Sequence, residues 1–392
     1  MDRRRFLRAT GLVSTTLFLP RFVKAMPTGL GPIGRRLVVV QLTGGNDGLN
    51  TVVPFRDDVY HRERGGIALP AGSVLGLNDE LGLHPACGSL KRLFDNGMVR
   101  VINGVGYPAP DRSHFRSMDI WHTASGSDRY LSTGWLGRYL DETGAAPHGI
   151  IELSGQLSLA NKGAHRKGLA FREPAQFHAA TREPYFARLA RNGPAAHPQL
   201  NFLYTTVAET YQSAEHVVAQ WRPAPGTGGW PKGPLSNQLR TVARLIRSGL
   251  DTRVYYTGLP GFDTHVQQPG KHRRMLTEVS DALGAFMDDM REAGLAEEVV
   301  VLVFSEFGRR VRQNRNQGTD HGTAGPVLLI GGGVNGGIHN AHPSLTDLDA
   351  NGDLRYAVDH RSVYAALLSD WLGGNTEAVL GAGIRAERGL FR

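Results

Sequence analysis

The stretch that decides the fold is residues 37–48, which reads LVVVQL followed by TGGNDG. The first half is a continuous apolar run of strand length, and the second half is a glycine-rich loop that carries Asp47. A strand that is apolar on both faces and stops at glycines is typical of the centre of a covered parallel sheet. Because open α/β sheets bind ligands in the loops after such strands, this loop is a candidate site.

The same pattern recurs downstream. Apolar runs at residues 99–102, 253–256, 299–304 and 326–330 predict four more strands, and residues 90–96 predict a short helix. Residues 271–293 predict a longer helix that ends at Gly294, because apolar side chains recur there at three- and four-residue spacing. A strand, a helix and a strand in this order predict a right-handed crossover. We therefore expect an α/β fold with three layers, α/β/α, and a largely parallel central sheet.

The middle of the chain, about residues 150–245, is less regular. Loops are predicted at residues 163–167 and 223–229, and a helix is predicted at residues 200–221. We interpret this region as an insertion or a cap over the sheet. The remaining length permits one large α/β domain or two smaller ones, and we expect one domain at residues 26–392.

Residues 1–25 predict an export signal. Arg3 and Arg4 form a twin-arginine pair, a weakly apolar run follows, and Ala25 closes a pattern that signal peptidase reads. The run is shorter than the roughly 20 apolar residues that cross a bilayer. We expect export by the twin-arginine translocation machinery to the periplasm or beyond, with no transmembrane segment in the mature chain.

Composition excludes several classes of function. The formal net charge is +8, but residues 1–25 carry six basic residues and one acidic residue, so the rest of the chain is near +3. That charge is too weak to indicate nucleic-acid binding. Cys87 is the single cysteine, so no disulfide forms within the chain, and we interpret it as a packing residue. The TGGNDG loop lacks the third glycine of the fingerprint found in dinucleotide-binding proteins, so we do not expect it to bind a nucleotide.

Acidic and imidazole side chains gather where the predicted strands end. They are Asp47, Asp263, His265, Glu306, Asp320 and His321. Carboxylates brought together repel one another unless a cation lies among them, and this donor set suits Zn, Mn, Mg or Ca. The alternative for each residue is ordinary: Asp263 caps a helix, His321 is a loop histidine, or Glu306 pairs with Arg309 or Arg310.

A nucleophile is expected at the same edge of the sheet. Ser113 lies in the segment DRSHF, residues 111–115, just before a predicted helix. Backbone N–H groups at a helix N-terminus favour an oxyanion or a phosphate. The alternative is that Ser113 is only the N-cap of that helix. His114 does not form a dyad with Ser113 by adjacency, since neighbouring side chains diverge.

These motifs together resemble a bacterial family of exported proteins of unknown function. The motifs are the export signal and the segments LTGGNDGLN (42–50), RSHF (112–115), GFDTH (261–265), SEFGR (305–309) and GTDHG (318–322). That family is similar to the alkaline phosphatase and sulfatase superfamily, so the resemblance implies an alkaline phosphatase-like fold. It also implies a divalent metal site that includes Asp47, Asp263, His265, Glu306 and His321, with Ser113 as the nucleophile.

Phe307 departs from the superfamily pattern, in which a histidine follows the acidic residue. A phenyl ring cannot bind a metal, so one of the two expected metal sites lacks a ligand. The chain then binds one metal, recruits Asp320 as a replacement, or has lost catalysis.

Three hypotheses of function follow. The first is a metal-dependent hydrolase of phosphate or sulfate esters, in which Ser113 attacks and Arg112 or Arg116 steadies the anion. The second is a non-catalytic, metal-stabilised binding or assembly protein with the same fold. The third is a polysaccharide-modifying transferase that uses the same serine and metal.

Overall fold

The computed structural model describes residues 34–192, 195, 197–221 and 229–392. The predicted export signal at residues 1–25 lies outside these residues. The strands are β1 Arg36–Thr43, β2 Val52–Val53, β3 Leu75–Gly76, β4 Gly82–Leu83, β5 Val99–Gly106, β6 Ile150–Glu152, β7 Leu169–Ala170, β8 Val254–Pro260, β9 Val299–Phe304, β10 Arg309–Gln313, β11 Thr319–His321, β12 Gly325–Ile330, β13 Gly337–Ile338 and β14 Val358–Asp359.

Helices connect these strands, and a π-helical turn, Leu367–Leu372, continues one of them. The helices are α1 Asp58–Glu63, α2 Gly88–Asp95, α3 His114–Thr123, α4 Trp135–Thr143, α5 Pro174–Thr181, α6 Pro184–Leu189, α7 Pro198–Gln220, α8 Pro234–Arg247, α9 Gln268–Glu292, α10 His360–Ala366 and α11 Thr376–Leu380. Among the described residues, no helix combines the length and the apolar character needed to span a membrane.

The central sheet has the strand order β13-β5-β12-β9-β1-β8-β6-β7, and β14 also pairs with β5. β1 lies in the middle and pairs in parallel with β8 on one side and β9 on the other. The α9 helix connects β8 to β9, as the strand–helix–strand pattern predicts. The carboxyl ends of β1, β8 and β9 therefore share one edge of the sheet.

β12 is antiparallel to both of its neighbours, β9 and β5, although its sequence was expected to continue the parallel set. Residues 305–324 connect β9 to β12 through the β10–β11 hairpin and contain no helix, whereas the crossover between parallel strands is usually an α-helix on a face of the sheet. This reversal has a consequence for the site. Because β12 begins at the edge where β9 ends, Asp320 and His321 reach that edge without a returning loop.

The core lies on both faces of the sheet. Along β1, Val38, Val40 and Leu42 pack into one buried cluster with α2, α8 and α9. Leu37 and Val39 pack into a second cluster with α3, α4 and α10 on the other face. Alternate residues of a strand point to opposite faces, so an uninterrupted apolar run requires cover on both sides. The structure thus has the expected three layers.

The region about 150–245 contributes to the sheet as well as lying beside it. β6 and β7 extend one edge of the sheet, and α8 packs against α9 and β8. The predicted helix at 200–221 is α7, which packs against α5 and the 3-10 turn Pro147–Gly149. Of the predicted loop at 223–229, residues 223–228 lie outside the described part of the chain.

Candidate metal centre

Four segments of the chain place polar side chains at the edge where the parallel strands end. Asp263 and His265 follow β8, Glu306 follows β9, and His321 ends β11 just before β12. The fourth contribution is His114, the first residue of α3. The chain from β5 to α3 runs along the same edge, since the carbonyl oxygen of Arg112 contacts His321 Nδ1 at 2.7 Å.

The carboxylate of Asp263 lies among three imidazole rings. Its Oδ1 is 3.0 Å from His265 Nε2 and 3.4 Å from His321 Nε2, and its Oδ2 is 3.7 Å from His114 Nε2. The Nε2 atoms of His265 and His321 are only 2.9 Å apart. His114, Asp263 and His321 each offer a ligand atom, and these atoms lie within 4.8 Å of one another.

The Nδ1 atom of each ring already has an acceptor. His114 Nδ1 donates to Glu306 Oε1 at 2.8 Å, His265 Nδ1 to Asp320 Oδ1 at 3.1 Å, and His321 Nδ1 to the Arg112 carbonyl. In a neutral ring, a proton on Nδ1 leaves a lone pair on Nε2. Three lone pairs then face the Asp263 carboxylate, whose Oδ1 also accepts a hydrogen bond from the Arg309 guanidinium at 2.7 Å. The lone pairs repel one another unless a proton or a cation lies among them. Such Nδ1 partners are typical of histidines that bind metals.

His114 Nε2 supports the same interpretation. It is buried and has no hydrogen-bond partner among the described residues. A buried polar atom without a partner costs free energy of roughly 1–3 kcal/mol, so it calls for an explanation. A cation at this point would provide one, and the residues present therefore fit a metal ion.

The charges in the cluster also suit a cation. Burial acts to raise the pKa of Asp263, but the guanidinium of Arg309 and the nearby imidazoles outweigh it and lower that pKa. Burial lowers the pKa of His321. For His114, the hydrogen bond to Glu306 raises the pKa. Asp263 is therefore ionised and His321 neutral at ordinary pH, which are the forms that bind metal ions. The raised pKa of His114 favours its protonated form, so an ion there must displace a proton.

Phe307 packs against two rings of the cluster and cannot act as a metal ligand. Its ring centroid lies 4.8 Å from that of His114 and 4.7 Å from that of His321. The loop after β1 makes room for this ring, since a Cβ added to Gly45 would lie 2.2 Å from Phe307 Cε2. Gly45 also has a φ of +70°, a conformation that favours glycine. The TGGNDG loop thus shapes the site by its lack of side chains.

Asp47 is engaged elsewhere, although it was expected to bind a metal. Its fully buried carboxylate forms an ion pair with Arg64 at 2.5 Å and accepts a hydrogen bond from Gln268. Burial acts to raise the pKa of Asp47, but Arg64 more than offsets it and lowers that pKa. The guanidinium supplies the positive charge at this position, so the structure does not place Asp47 in the Asp263 cluster.

The two arginines proposed to steady an anion are also engaged elsewhere. The guanidinium of Arg112 pairs with Asp349 and Asp353. That of Arg116 donates to backbone carbonyl oxygens, including that of Arg129 at 2.7 Å, and lies over the ring of Tyr130. Arg112 thus contacts the site through its backbone: its carbonyl oxygen accepts a hydrogen bond from His321 and so orients that ring.

Ser113 is the N-cap residue of α3, but its hydroxyl makes no capping hydrogen bond. Its N–H donates to Asp111 Oδ1 at 2.7 Å, and the residue is exposed. Its neighbours Arg112 and His114 both contact the cluster. Ser113 is therefore next in the chain to two residues of the candidate site, and none of the described residues holds its hydroxyl by a hydrogen bond.

His114 is the member of the cluster that the sequence analysis missed. We considered it only as a partner of Ser113 and rejected it on adjacency. Glu306 and Asp320 were expected as direct ligands, but each carboxylate lies behind an imidazole and contacts its Nδ1. A histidine at the start of a helix that follows a central strand was the available signal.

Fold and site together define a three-layer α/β protein with a histidine-rich candidate metal centre at the carboxyl edge of its sheet. The chain belongs to the DUF1501 family, described as "Protein of unknown function (DUF1501)", whose model matches residues 100–378. The resemblance to a family of unknown function is thereby confirmed. No curated protein matches the sequence at a significant level.

The chain is similar to solved structures at low identity. One is a protein in the alkaline phosphatase superfamily from Vibrio parahaemolyticus, with 10% identity, a TM-score of 0.42, and coverage of 91% of this chain and 73% of that chain. A second is the PsFucS1 sulfatase from Pseudoalteromonas sp., with 10% identity, a TM-score of 0.39, and coverage of 92% and 73%.

A third is the C-terminal periplasmic domain of EcEptC from Escherichia coli in complex with Zn, with 10% identity, a TM-score of 0.40, and coverage of 78% and 77%.

Proposed function

We propose that this chain is an exported metal-dependent hydrolase of phosphate or sulfate esters. The observation that carries the proposal is the convergence of the Asp263 carboxylate and the Nε2 atoms of His114, His265 and His321, each ring having an acceptor at Nδ1. Export by the twin-arginine translocation machinery, to the periplasm or beyond, is part of the proposal and rests on residues 1–25.

His114, Asp263, His265 and His321 would hold the cation. Imidazole nitrogens suit zinc, whereas Mg²⁺, Ca²⁺ and Mn²⁺ prefer oxygen ligands, so of these four ions this donor set favours Zn²⁺. When bound, the ion would act as a Lewis acid on an ester oxygen and lower the pKa of a nearby hydroxyl. Asp263 and His265 are partly exposed, with side-chain exposures of 47% and 39%, so the site is open to substrate.

Ser113 would act as the nucleophile. Its hydroxyl oxygen would form a bond to phosphorus or sulfur while the bond to the ester oxygen breaks, and the leaving alcohol would take the hydroxyl proton. Water would then hydrolyse the seryl ester and restore the hydroxyl. The unpaired N–H groups at the start of α3 would steady the anion, since the guanidiniums of Arg112 and Arg116 are engaged.

The alternative, a non-catalytic metal-stabilised binding protein, is favoured by two features. Phe307 occupies the position where a second set of ligands was expected, and Arg64 neutralises Asp47. A single cation among three histidines would then stabilise the fold without taking part in catalysis.

Metal analysis and turnover of aryl phosphate and aryl sulfate distinguish the two functions. We expect His114→Ala to lose both bound metal and turnover, since it removes a ligand. Ser113→Ala should keep the metal and lose turnover by at least about a hundredfold. His165→Ala, a change to an exposed histidine remote from the cluster in sequence, is the matched control and should behave as wild type.

Bound metal without any Ser113-dependent turnover over a broad panel of esters would support the binding protein. Absence of metal from folded protein equilibrated with Zn²⁺ or Mn²⁺ would overturn both functions. The transferase hypothesis predicts Ser113-dependent turnover that rises when an acceptor alcohol is added.

A further inference from the structure

A second group of metal-binding side chains lies on a different part of the molecule. His148 belongs to the 3-10 turn Pro147–Gly149 before β6, His216 lies on α7, and Asp251 lies between α8 and β8. Each offers one ligand atom, and these atoms lie within 4.8 Å of one another. None of the three contributes to the Asp263 cluster, so this group is independent of the proposed function.

The distances within the group suit a tetrahedral ion. Asp251 Oδ1 is 3.3 Å from His148 Nε2 and 3.0 Å from His216 Nε2. The two ring centroids are 4.4 Å apart, with 33° between the ring planes. Zinc at Zn–N distances of about 2.0–2.1 Å separates its ligands by about 3.3 Å, close to both separations. Two imidazoles and one carboxylate are a known zinc donor set that leaves one position to water.

The backbone around the group is fixed by hydrogen bonds. Thr252 Oγ1 donates to the carbonyl oxygen of His148 at 2.5 Å, and Arg253 N–H donates to that of Gly149 at 3.0 Å. These bonds connect the segment of Asp251 directly to the segment of His148. Two of the three ligands are thus placed before any ion binds.

The third ligand depends on how α7 packs. Val217, next to His216, is fully buried in the core cluster to which α8 and α9 also contribute. Ser213, one turn earlier, contacts His148 Nδ1 through its hydroxyl at 3.2 Å, as a partner that orients a ligand does. The helix therefore presents His216 to the other two residues from a defined position.

The exposure of the group allows an ion to enter. Exposed fractions of the side chains are 14% for His148, 40% for His216 and 69% for Asp251.

We propose that His148, His216 and Asp251 form a second metal site, which takes Zn²⁺ and fastens α7 to the edge of the central sheet beside β6 and β8. The ion joins three segments that are far apart along the chain. A metal that cross-links such segments in the folded state alone stabilises that state.

Zinc content and thermal unfolding of the full chain test this site. His216→Asn removes one ligand, and we expect it to lose about one equivalent of bound zinc and the part of the zinc-dependent rise in Tm that this site provides. Hydrogen exchange of the α7 amides should slow on zinc addition in the wild type and not in the variant. Asp251→Asn should behave like His216→Asn.

His178→Asn is the matched control, because His178 also pairs with a carboxylate of α7, that of Glu215 at 3.1 Å, and lies outside the group. It should keep the wild-type zinc content. The same measurements on His114→Ala separate this site from the Asp263 cluster, since the α7 response should persist there. Equal zinc content and equal α7 protection in wild type, His216→Asn and Asp251→Asn would overturn the proposal.

Discussion

A buried charge needs a partner, and Arg64 meets that need for Asp47. Both side chains are fully buried, and Arg64 also donates to the carbonyl oxygens of Arg310 and Val311. The guanidinium therefore connects the TGGNDG loop to the β10–β11 hairpin. Removal of one partner from such a pair leaves an uncompensated charge in the interior, which is far more costly than loss of an exposed pair.

We predict that Arg64→Leu lowers the free energy of unfolding by about 3–5 kcal/mol, because Asp47 then lies buried without its cation. Urea unfolding monitored by circular dichroism measures the change. Arg62→Leu is the control, since Arg62 is largely exposed and pairs with Glu63 at the surface. Its cost should be about 1 kcal/mol or less. Equal losses in the two variants would contradict the structural role of the buried pair.

At the scale of residues, sequence reasoning found most of the side chains around the centre but not their roles. Asp263, His265 and His321 were located because each adjoins a predicted strand. Asp47 satisfies the same rule, yet it pairs with Arg64, a residue whose approach depends on tertiary structure. Whether an acidic side chain after a strand points into the candidate site depends on the local backbone angles. These angles cannot be predicted from the position of the residue relative to the strand.

At the scale of elements, the loop after β1 is in close contact with both the loop after β8 and the ring of Phe307. A Cβ on Gly44 would lie 2.4 Å from the backbone nitrogen of Asp263, and one on Gly45 would lie within the ring of Phe307. The loop therefore tolerates no side chain at two successive positions. These glycines permit close contact with the backbone of Asp263 and with the ring of Phe307, beside the candidate metal centre.

We predict that Gly45→Ala destabilises the fold by more than about 2 kcal/mol and weakens metal binding, since Phe307 must move away from His114. Gly294→Ala is the matched control: its φ of +72° imposes similar backbone strain, but no atom lies within 4 Å of the added Cβ. Its cost should be about 1 kcal/mol, without any effect on metal affinity. Calorimetric metal titration and urea unfolding of both variants distinguish the cost of backbone strain from the cost of the steric clash with Phe307. Equal effects would show that the Phe307 contact is unimportant.

The elements were largely predictable, because strands buried on both faces are continuous apolar runs. β1, β9 and the α9 helix follow directly from such patterns. The direction of β12 did not follow, since an apolar run carries no sign of direction. The signal was the absence of a helix between residues 304 and 325, since the crossover between parallel strands is usually an α-helix.

At the scale of the whole molecule, stability should depend on pH through buried neutral histidines. Burial lowers the pKa of His122 and of His272 to about 4, and both side chains are buried among hydrogen-bond partners. In the unfolded chain their pKa returns to about 6.5. The unfolded state then binds more protons below that pH, and this binding favours unfolding.

We predict that the free energy of unfolding is constant above about pH 6.5 with respect to these two groups and falls as the pH decreases towards 4. Each histidine contributes a loss of as much as about 3 kcal/mol across that interval. Urea unfolding at a series of pH values measures the slope. His272→Gln should make the slope shallower, and His165→Ala should leave it unchanged. A slope that is identical in His272→Gln and wild type would contradict the prediction.

The three-layer architecture was predictable at this scale, because the order of apolar runs and one amphipathic helix leaves few alternatives. The packing of residues 150–245 was not, since that region lacks a regular pattern. Its strands β6 and β7 are two or three residues long and join the sheet only through partners elsewhere in the chain.

The four donors of the candidate centre come from residues 114, 263, 265 and 321, on segments that meet only when β5, β8 and the β10–β11 hairpin are assembled. The proposed ion can therefore meet all four donors only once these segments have assembled. The compartment in which the chain folds, and its supply of ions, would then decide which metal the centre receives.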